Sequence, residues 1–302
     1  MKNSWIWMTV ALAVLPLGYS QYRERASGPA QDAAHRHHQR GVEFHVKRCL
    51  DEASQEYAAA LKLEPPAEAT AEQIALARHF LPRIFTTPSE PFRLQDFAVI
   101  LHPSRRVVAY HLFWEDDIDF PEDNDPCDHE VLWVEYAEDH KTITGISTYF
   151  HGRILRGGSE AIQEAKAHAG RPRTNVQWGK HGSLLLGWEK SPIVADEGDA
   201  EKKFYPLGRQ ITLLDYNRGT FEKLSKEGRR LLEHPLGRGW PKKFVGSWQD
   251  FTDFSVLVDP ADLLSSKQMI RVSRFNSATI NQHFLRYNFR PKTEWPESMS
   301  DK

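Results

Sequence analysis

The chain has 302 residues, of which 39 are Lys or Arg and 41 are Asp or Glu, so its formal net charge at pH 7 is −2. This balance excludes the strongly basic class of nucleic-acid-binding proteins, and we expect no nucleic-acid partner. The length predicts one large domain with a small one, and two cysteines are too few for a disulfide framework. Whether Cys49 and Cys127 form a bridge depends on geometry that the sequence does not fix.

Residues 1–20 have the pattern of a secretory signal peptide. Lys2 precedes an apolar run from Trp5 to Leu17, and the small residues Gly18 and Ser20 follow it. Cleavage after Ser20 would place the mature protein in a periplasm or outside the cell. An uncleaved membrane anchor is the alternative, although the run is short for a membrane span. Residues 21–34 are small and polar, and we predict a linker there.

Residues 35–85 are predicted to form a helical hairpin with a capping helix. The hairpin resembles one tetratricopeptide repeat, with a small residue where two helices cross, aromatic side chains in the groove and a proline after the second helix. The residues that carry this resemblance are Gly41, Phe44, Leu50, Ala53, Tyr57, Ala60 and Pro65. Because useful binding grooves need stacked repeats, docking of the hairpin on the main domain is favoured over peptide binding.

Residues 92–290 are predicted to form a mainly antiparallel, β-sandwich-like domain, which makes the protein α+β. Runs rich in β-branched and aromatic residues predict strands within 97–101, 107–113, 128–136 and 143–150, and a glycine-broken strand pair within 175–188. Helices are predicted within 157–170 and 220–233, and closing strands within 248–259 and 271–290. Residues 291–302 are predicted to be a loose tail.

An acidic segment follows the second predicted strand. Nine of the sixteen residues from Glu115 to Glu130 are carboxylates, a density that requires cations or a basic surface nearby. Strand side chains alternate, so Asp128 and Glu130 should point to one face and His129 to the other, while Asp125 can curl into the same space. Carboxylate oxygens bind hard cations such as Ca²⁺ and Mg²⁺. We therefore predict Asp125, Asp128 and Glu130 as metal ligands, with a solvated acidic loop as the alternative.

Two histidines each precede a glycine at a predicted strand end. His151 is followed by Gly152 and His181 by Gly182, and glycine permits tight turning and a close backbone approach. We predict that both imidazoles line a ligand pocket beside the acidic segment. The alternative is that they are structural turn residues.

Residues 97–188 resemble the necrosis-inducing (Nep-like) proteins and the related vacuolar-protein-sorting-type domains, which share an Asp-Trp-Glu strand. Asp128 and Glu130 match the metal-holding Asp and Glu of the Nep-like motif GHRHDWE. Asp125 stands where that family has a metal-side His, Cys127 replaces its second His, and His129 replaces its Trp. The resemblance implies a secreted β-sandwich with a divalent cation near the acidic segment, and these departures from the motif argue against membrane damage as the activity.

Three functions follow from these observations. The first is cation-dependent recognition of a polar extracytoplasmic ligand, either a glycan or a lipid headgroup, with Ca²⁺ or Mg²⁺ as the cofactor. The second is a metal-dependent hydrolase that uses His181 or Glu115 as the base. The third is a scaffold whose helical hairpin binds a protein partner.

Overall fold

The computed structural model describes residues 28–118, 127–201, 205–226, 239–285, 292 and 294–299. The predicted signal peptide and Asp125 lie outside these ranges. No helix in the described part of the chain is long and apolar enough to span a bilayer.

The described part of the chain begins with the predicted helical pair. Helices α1 (Pro29–Val46) and α2 (Leu50–Leu63) pack against each other, and α1 begins inside the segment predicted as a linker. Gly41 lies at the crossing, where an added Cβ would be 2.6 Å from the Tyr57 ring. The small residue and the aromatic side chain therefore meet as the sequence indicated.

The helical pair docks on the rest of the protein through α9 (Asn276–Phe284). Ala53 and Tyr57 of α2 share a buried cluster with Phe275 and Ala278. Helix α3 (Ala71–His79) begins with a capping box between Thr70 and Gln73 and packs into the central core. The helices are thus held by burial of their apolar faces against the β domain.

The larger sheet consists, within the described residues, of β1 (Ala67–Glu68), β3 (Leu94–Leu101), β4 (Val107–Trp114), β5 (Asp128–Tyr136), β6 (Ile143–Phe150), β7 (Arg153–Arg156) and β13 (Ile270–Val272). Their order is β1–β13–β3–β4–β5–β6–β7, and neighbouring strands are antiparallel except for the parallel pair β13 and β3. The four central strands, β3 to β6, appear where apolar runs predicted them.

A second sheet faces the first. Its order is β12–β2–β8–β9, from β2 (Arg83–Thr86), β8 (Arg173–Val176), β9 (Ser183–Leu185) and β12 (Val256–Val258). Ile84, Val176 and Leu185 of this sheet share one core cluster with Val99 and Leu132 of the larger sheet. Two sheets with a common apolar core form a sandwich. Together with the helices that pack against these sheets, the sandwich confirms the predicted α+β class.

The other face of the larger sheet is covered by the C-terminal part of the chain. Ile280 and Phe284 of α9 share one buried cluster with Trp133 of β5. Trp295 and Met299 belong to the same cluster. The segment predicted as a closing strand, within 271–290, begins as β13 and continues as the helix α9, whose apolar residues are buried against this face. The buried Trp295 and Met299 also differ from the predicted loose tail.

Short elements connect these layers. Helix α7 (Trp248–Phe251) occupies the first part of the strand predicted within 248–259, and it begins with a capping box between Ser247 and Asp250. Cys49 and Cys127 are both free thiols. The remaining elements are α4 (Ser159–Ala167), β10 (Pro192–Val194), α5 (Glu197–Glu201), β11 (Gln210–Thr212), α6 (Leu213–Lys226), α7 (Trp248–Phe251) and α8 (Ala261–Lys267).

Candidate functional site

The candidate site lies where β4 ends and β5 begins. We call it the acidic mouth, comprising Glu115–Asp117 after β4 and Asp128–Glu130 at the start of β5. In the sheet register Trp114 pairs with Asp128, and Leu112 pairs with Glu130. Asp128 and Glu130 alternate in step with Leu132 and Val134, which pack in the core between the sheets, whereas His129 stacks on Phe113 on the opposite face.

Asp128 is held by His181. The His181 Nδ1 lies 2.8 Å from an Asp128 carboxylate oxygen, and its Nε2 lies 3.2 Å from a Glu90 carboxylate oxygen. The ring stacks on Trp114, with centroids 4.4 Å apart. His181 is 0 % exposed, so it positions Asp128 from inside the protein and does not itself face solvent.

Opposing effects set the protonation of this pair. Burial alone would lower the pKa of His181, but the Glu90 charge and the hydrogen bonds to Asp128 and Glu90 outweigh it and raise that pKa to about 10. Burial would raise the pKa of Asp128, yet the contact with His181 holds it below its ordinary value. His181 is therefore an imidazolium between two carboxylates.

Glu130 has a different environment. It is buried, and its Oε1 lies 3.7 Å from Nζ of Lys292, while its Oε2 has no hydrogen-bond partner among the described residues. Burial, reinforced by the charges of Asp128 and Asp117 and opposed by Lys292, raises the pKa of Glu130 to about 8. The structure thus contains a poorly solvated carboxylate beside two other carboxylates.

The loop between β8 and β9 closes one side of the mouth. Lys180 directly precedes His181 in the chain, and its Nζ lies 2.7 Å from an Asp117 carboxylate oxygen. The Gly179 N–H donates to Glu90, and the Gly179 carbonyl accepts from the Ile118 N–H at 2.6 Å. Gly179 has a left-handed backbone with φ +60°, and a Cβ at this position would lie 3.1 Å from the Ile118 side chain. Glycine is therefore required for this close approach.

His151 lies in the turn between β6 and β7 and contacts the β8–β9 loop through Gln177. Its backbone is left-handed, with φ 44°, and its Nε2 lies 2.8 Å from the Gln177 side-chain oxygen. Gln177 in turn donates to Asn217 at 2.7 Å. A Cβ on Gly182 would lie 2.7 Å from the Phe150 ring, which explains the glycine after His181. The polar contacts of His151 and His181 thus go to different groups.

The predicted metal ligands are only partly described. The structure brings Asp128 and Glu130 together at the mouth, and Asp125 lies outside the described residues. Within the ranges that the structure describes, no group of three or more His, Cys, Asp or Glu side chains is arranged to hold a metal ion. The ammonium groups of Lys180 and Lys292 lie beside Asp117 and Glu130 instead.

Sequence reasoning missed four participants: Glu90, Asp117, Lys180 and Lys292. Asp117 carried a signal, since it belongs to the acidic segment, and Lys180 adjoins a predicted site histidine. Glu90 and Lys292 are far away in the chain, and no motif marks them. Both side chains considered as hydrolytic bases are engaged, because His181 contacts two carboxylates and Glu115 accepts from Arg93 at 2.8 Å.

No family model and no curated protein matches this sequence. Among solved structures, the chain is similar to Necrosis and Ethylene inducing Protein 2 from the causal agent of cocoa's witches' broom disease. The match has a TM-score of 0.26 and 13 % identity, and it covers 40 % of this chain and 70 % of that chain. A TM-score this low carries no argument about function. The tetratricopeptide resemblance stays a prediction.

Proposed function

We propose that this protein binds a divalent cation, Ca²⁺ or Mg²⁺, at the acidic mouth and uses it to recognise a polar ligand outside the cytoplasm. Asp128 and Glu130 would be the central oxygen ligands. Asp117 and Asp125 are further donors from the same acidic segment. The sequence resemblance to the Nep-like proteins supports this role for Asp128 and Glu130.

The observation that carries the proposal is the buried Glu130 carboxylate. Its Oε2 has no hydrogen-bond partner in the part of the chain that the structure describes, and a buried polar atom without a partner is costly. A hard cation binds such an oxygen directly and favours its charged form. The elevated pKa of Glu130 supports the same conclusion, since burial and the neighbouring negative charges of Asp128 and Asp117 raise it.

The coordination chemistry supports ligand recognition through the cation. Ca²⁺ takes about six to eight oxygen ligands, more than the carboxylates of the mouth supply as single donors. The remaining positions would be available to hydroxyl or phosphate oxygens of a glycan or lipid headgroup. The predicted signal peptide supports an extracytoplasmic location for that ligand.

Metal content and calorimetric titration of the chelator-treated protein test this proposal. We expect saturable binding of Ca²⁺ or Mg²⁺ and a higher melting temperature with the cation. At a free concentration of about 100 times Kd, binding should stabilise the native state by roughly 2.7 kcal/mol. The double variant Asp128→Asn, Glu130→Gln should lose both effects.

The matched control is the double variant Asp51→Asn, Glu52→Gln. Both residues are exposed in the first turn of α2, so the control removes the same side-chain charges away from the mouth. It should bind the cation as the unmodified protein does. Equal binding by the mouth variant and the unmodified protein, or no stoichiometric binding at all, would refute the proposal.

A further inference from the structure

The C-terminal segment, residues 292 and 294–299, connects the acidic mouth to the helical pair. Lys292 Nζ lies 3.7 Å from the Glu130 carboxylate. Two residues later, a Glu294 carboxylate oxygen lies 2.7 Å from Nε2 of His38, which belongs to α1. One short stretch of chain therefore contacts both the proposed cation site and the N-terminal helices.

Contacts along the segment hold it against the sheet. The Ser277 hydroxyl donates to the Lys292 carbonyl at 3.0 Å, and Arg105 donates to the Ser298 carbonyl at 3.1 Å. The Trp295 ring lies edge-on to His102, with centroids 4.9 Å apart. This anchoring places the Lys292 side chain at the mouth instead of leaving it in solvent.

The Lys292 ammonium is a charge in a poorly solvated place. Its side chain is only 16 % exposed, and Nζ lies 4.3 Å from the centroid of the Tyr149 ring. Burial of an ammonium is costly without polar partners, and the Glu130 carboxyl group lies beside this one. Lys292 thus places a positive charge next to a carboxyl group that the divalent cation needs.

We propose that Lys292 is a tethered competitor of the divalent cation, an inference that rests on the proposed function. Without the cation, its ammonium occupies the position beside the Glu130 carboxyl group. Because two positive groups repel each other strongly in a site with little water, binding of Ca²⁺ or Mg²⁺ at Glu130 displaces Lys292. Because Glu294 follows Lys292 by two residues, displacement of Lys292 weakens the contact between Glu294 and His38 of α1. Cation binding therefore loosens the C-terminal segment from the helical pair.

Calorimetric titration with CaCl₂ and MgCl₂ tests the competition. The variant Lys292→Met should bind the cation about tenfold or more tightly than the unmodified protein, since the competing charge is gone. Lys292→Arg keeps that charge and should remain within about threefold of the unmodified protein. The control Lys226→Met removes an exposed lysine that lies 3.6 Å from Glu222 on α6, and it should leave the affinity unchanged.

Two further measurements keep the proposal testable if Lys292→Met does not fold. Glu294→Gln retains Lys292 but weakens its anchor to His38, so it should also tighten cation binding. Hydrogen exchange of residues 294–299 in the unmodified protein should become faster when the cation is added. Unchanged or weaker binding in the foldable variants, with unchanged or slower exchange, would overturn the inference.

The outcomes separate this inference from the proposed function. Binding by the unmodified protein without tightening in the variants refutes the competition and leaves the cation site intact. Binding by Lys292→Met alone supports the competition, because it shows a site that the lysine blocks. Absence of binding in every protein refutes both proposals.

Discussion

Replacement of His181 by asparagine should strongly destabilise the protein. The imidazolium is fully buried between Asp128 and Glu90 and stacks on Trp114. Asparagine is too short to bridge the two carboxylates and carries no charge. It does tolerate the left-handed backbone at this position, where φ is 50°, so the substitution tests the ion pairs with little added backbone strain.

The expected loss follows from these contacts. Removing one partner of a buried ion pair costs about 3–5 kcal/mol, because the remaining charge is buried without compensation. Loss of the stacked ring on Trp114 adds roughly 0.5–1.5 kcal/mol. The sum is about 3.5–6.5 kcal/mol, a large part of the stability of a typical protein.

Urea unfolding at pH 7 with a chelator present measures this loss. The matched control is His168→Asn, because His168 also lies near a carboxylate, 3.1 Å from Glu164, but is about half exposed. Because the His168 side chain is half exposed, that pair should contribute less than about 1 kcal/mol. Adding Asp128→Asn to His181→Asn should recover part of the loss by removing one of the stranded charges. A loss from His181→Asn no larger than that of the control would refute this reasoning.

Two further predictions concern the helical crossing and the Glu130 carboxyl. Gly41→Val should lower the free energy of unfolding by about 1–3 kcal/mol, because a Cβ there would lie 2.6 Å from the fully buried Tyr57 ring. Thermal unfolding followed by circular dichroism measures the loss, and Gly28→Ala, in open space, is the control; equal melting temperatures would contradict the close contact. Glu130 has a folded-state pKa of about 8, above its ordinary value of 4.5, so between these values the native state holds a proton that the unfolded state releases. Wild-type stability should therefore fall relative to Glu130→Gln as pH rises from 5 to 8, by up to about 4 kcal/mol. Denaturant unfolding with a chelator at both pH values measures the difference, and a difference that stays constant with pH would refute it.

The amino-acid sequence by itself determined the central strands and the orientation of their side chains. The apolar runs of β4, β5 and β6 indicate strands because their length and composition suit a buried sheet. Alternation places Asp128 and Glu130 on the face opposite His129, as the structure has them. Gly41 and Tyr57 were expected at a helical crossing only through the tetratricopeptide resemblance, and the structure places the two residues in contact.

Tertiary structure alone decided which distant groups complete the acidic mouth. Glu90, Lys180 and Lys292 meet Asp128 or its neighbours only after the two sheets and the C-terminal segment pack together. The local pattern predicted a strand where α9 forms. The helix is stabilised there by burial of Ile280 and Phe284 in one cluster with Trp133. The physical reason is the same in both cases. Periodicity records which face of a segment is apolar, whereas the partner of a buried charge or of an apolar face is chosen by long-range packing.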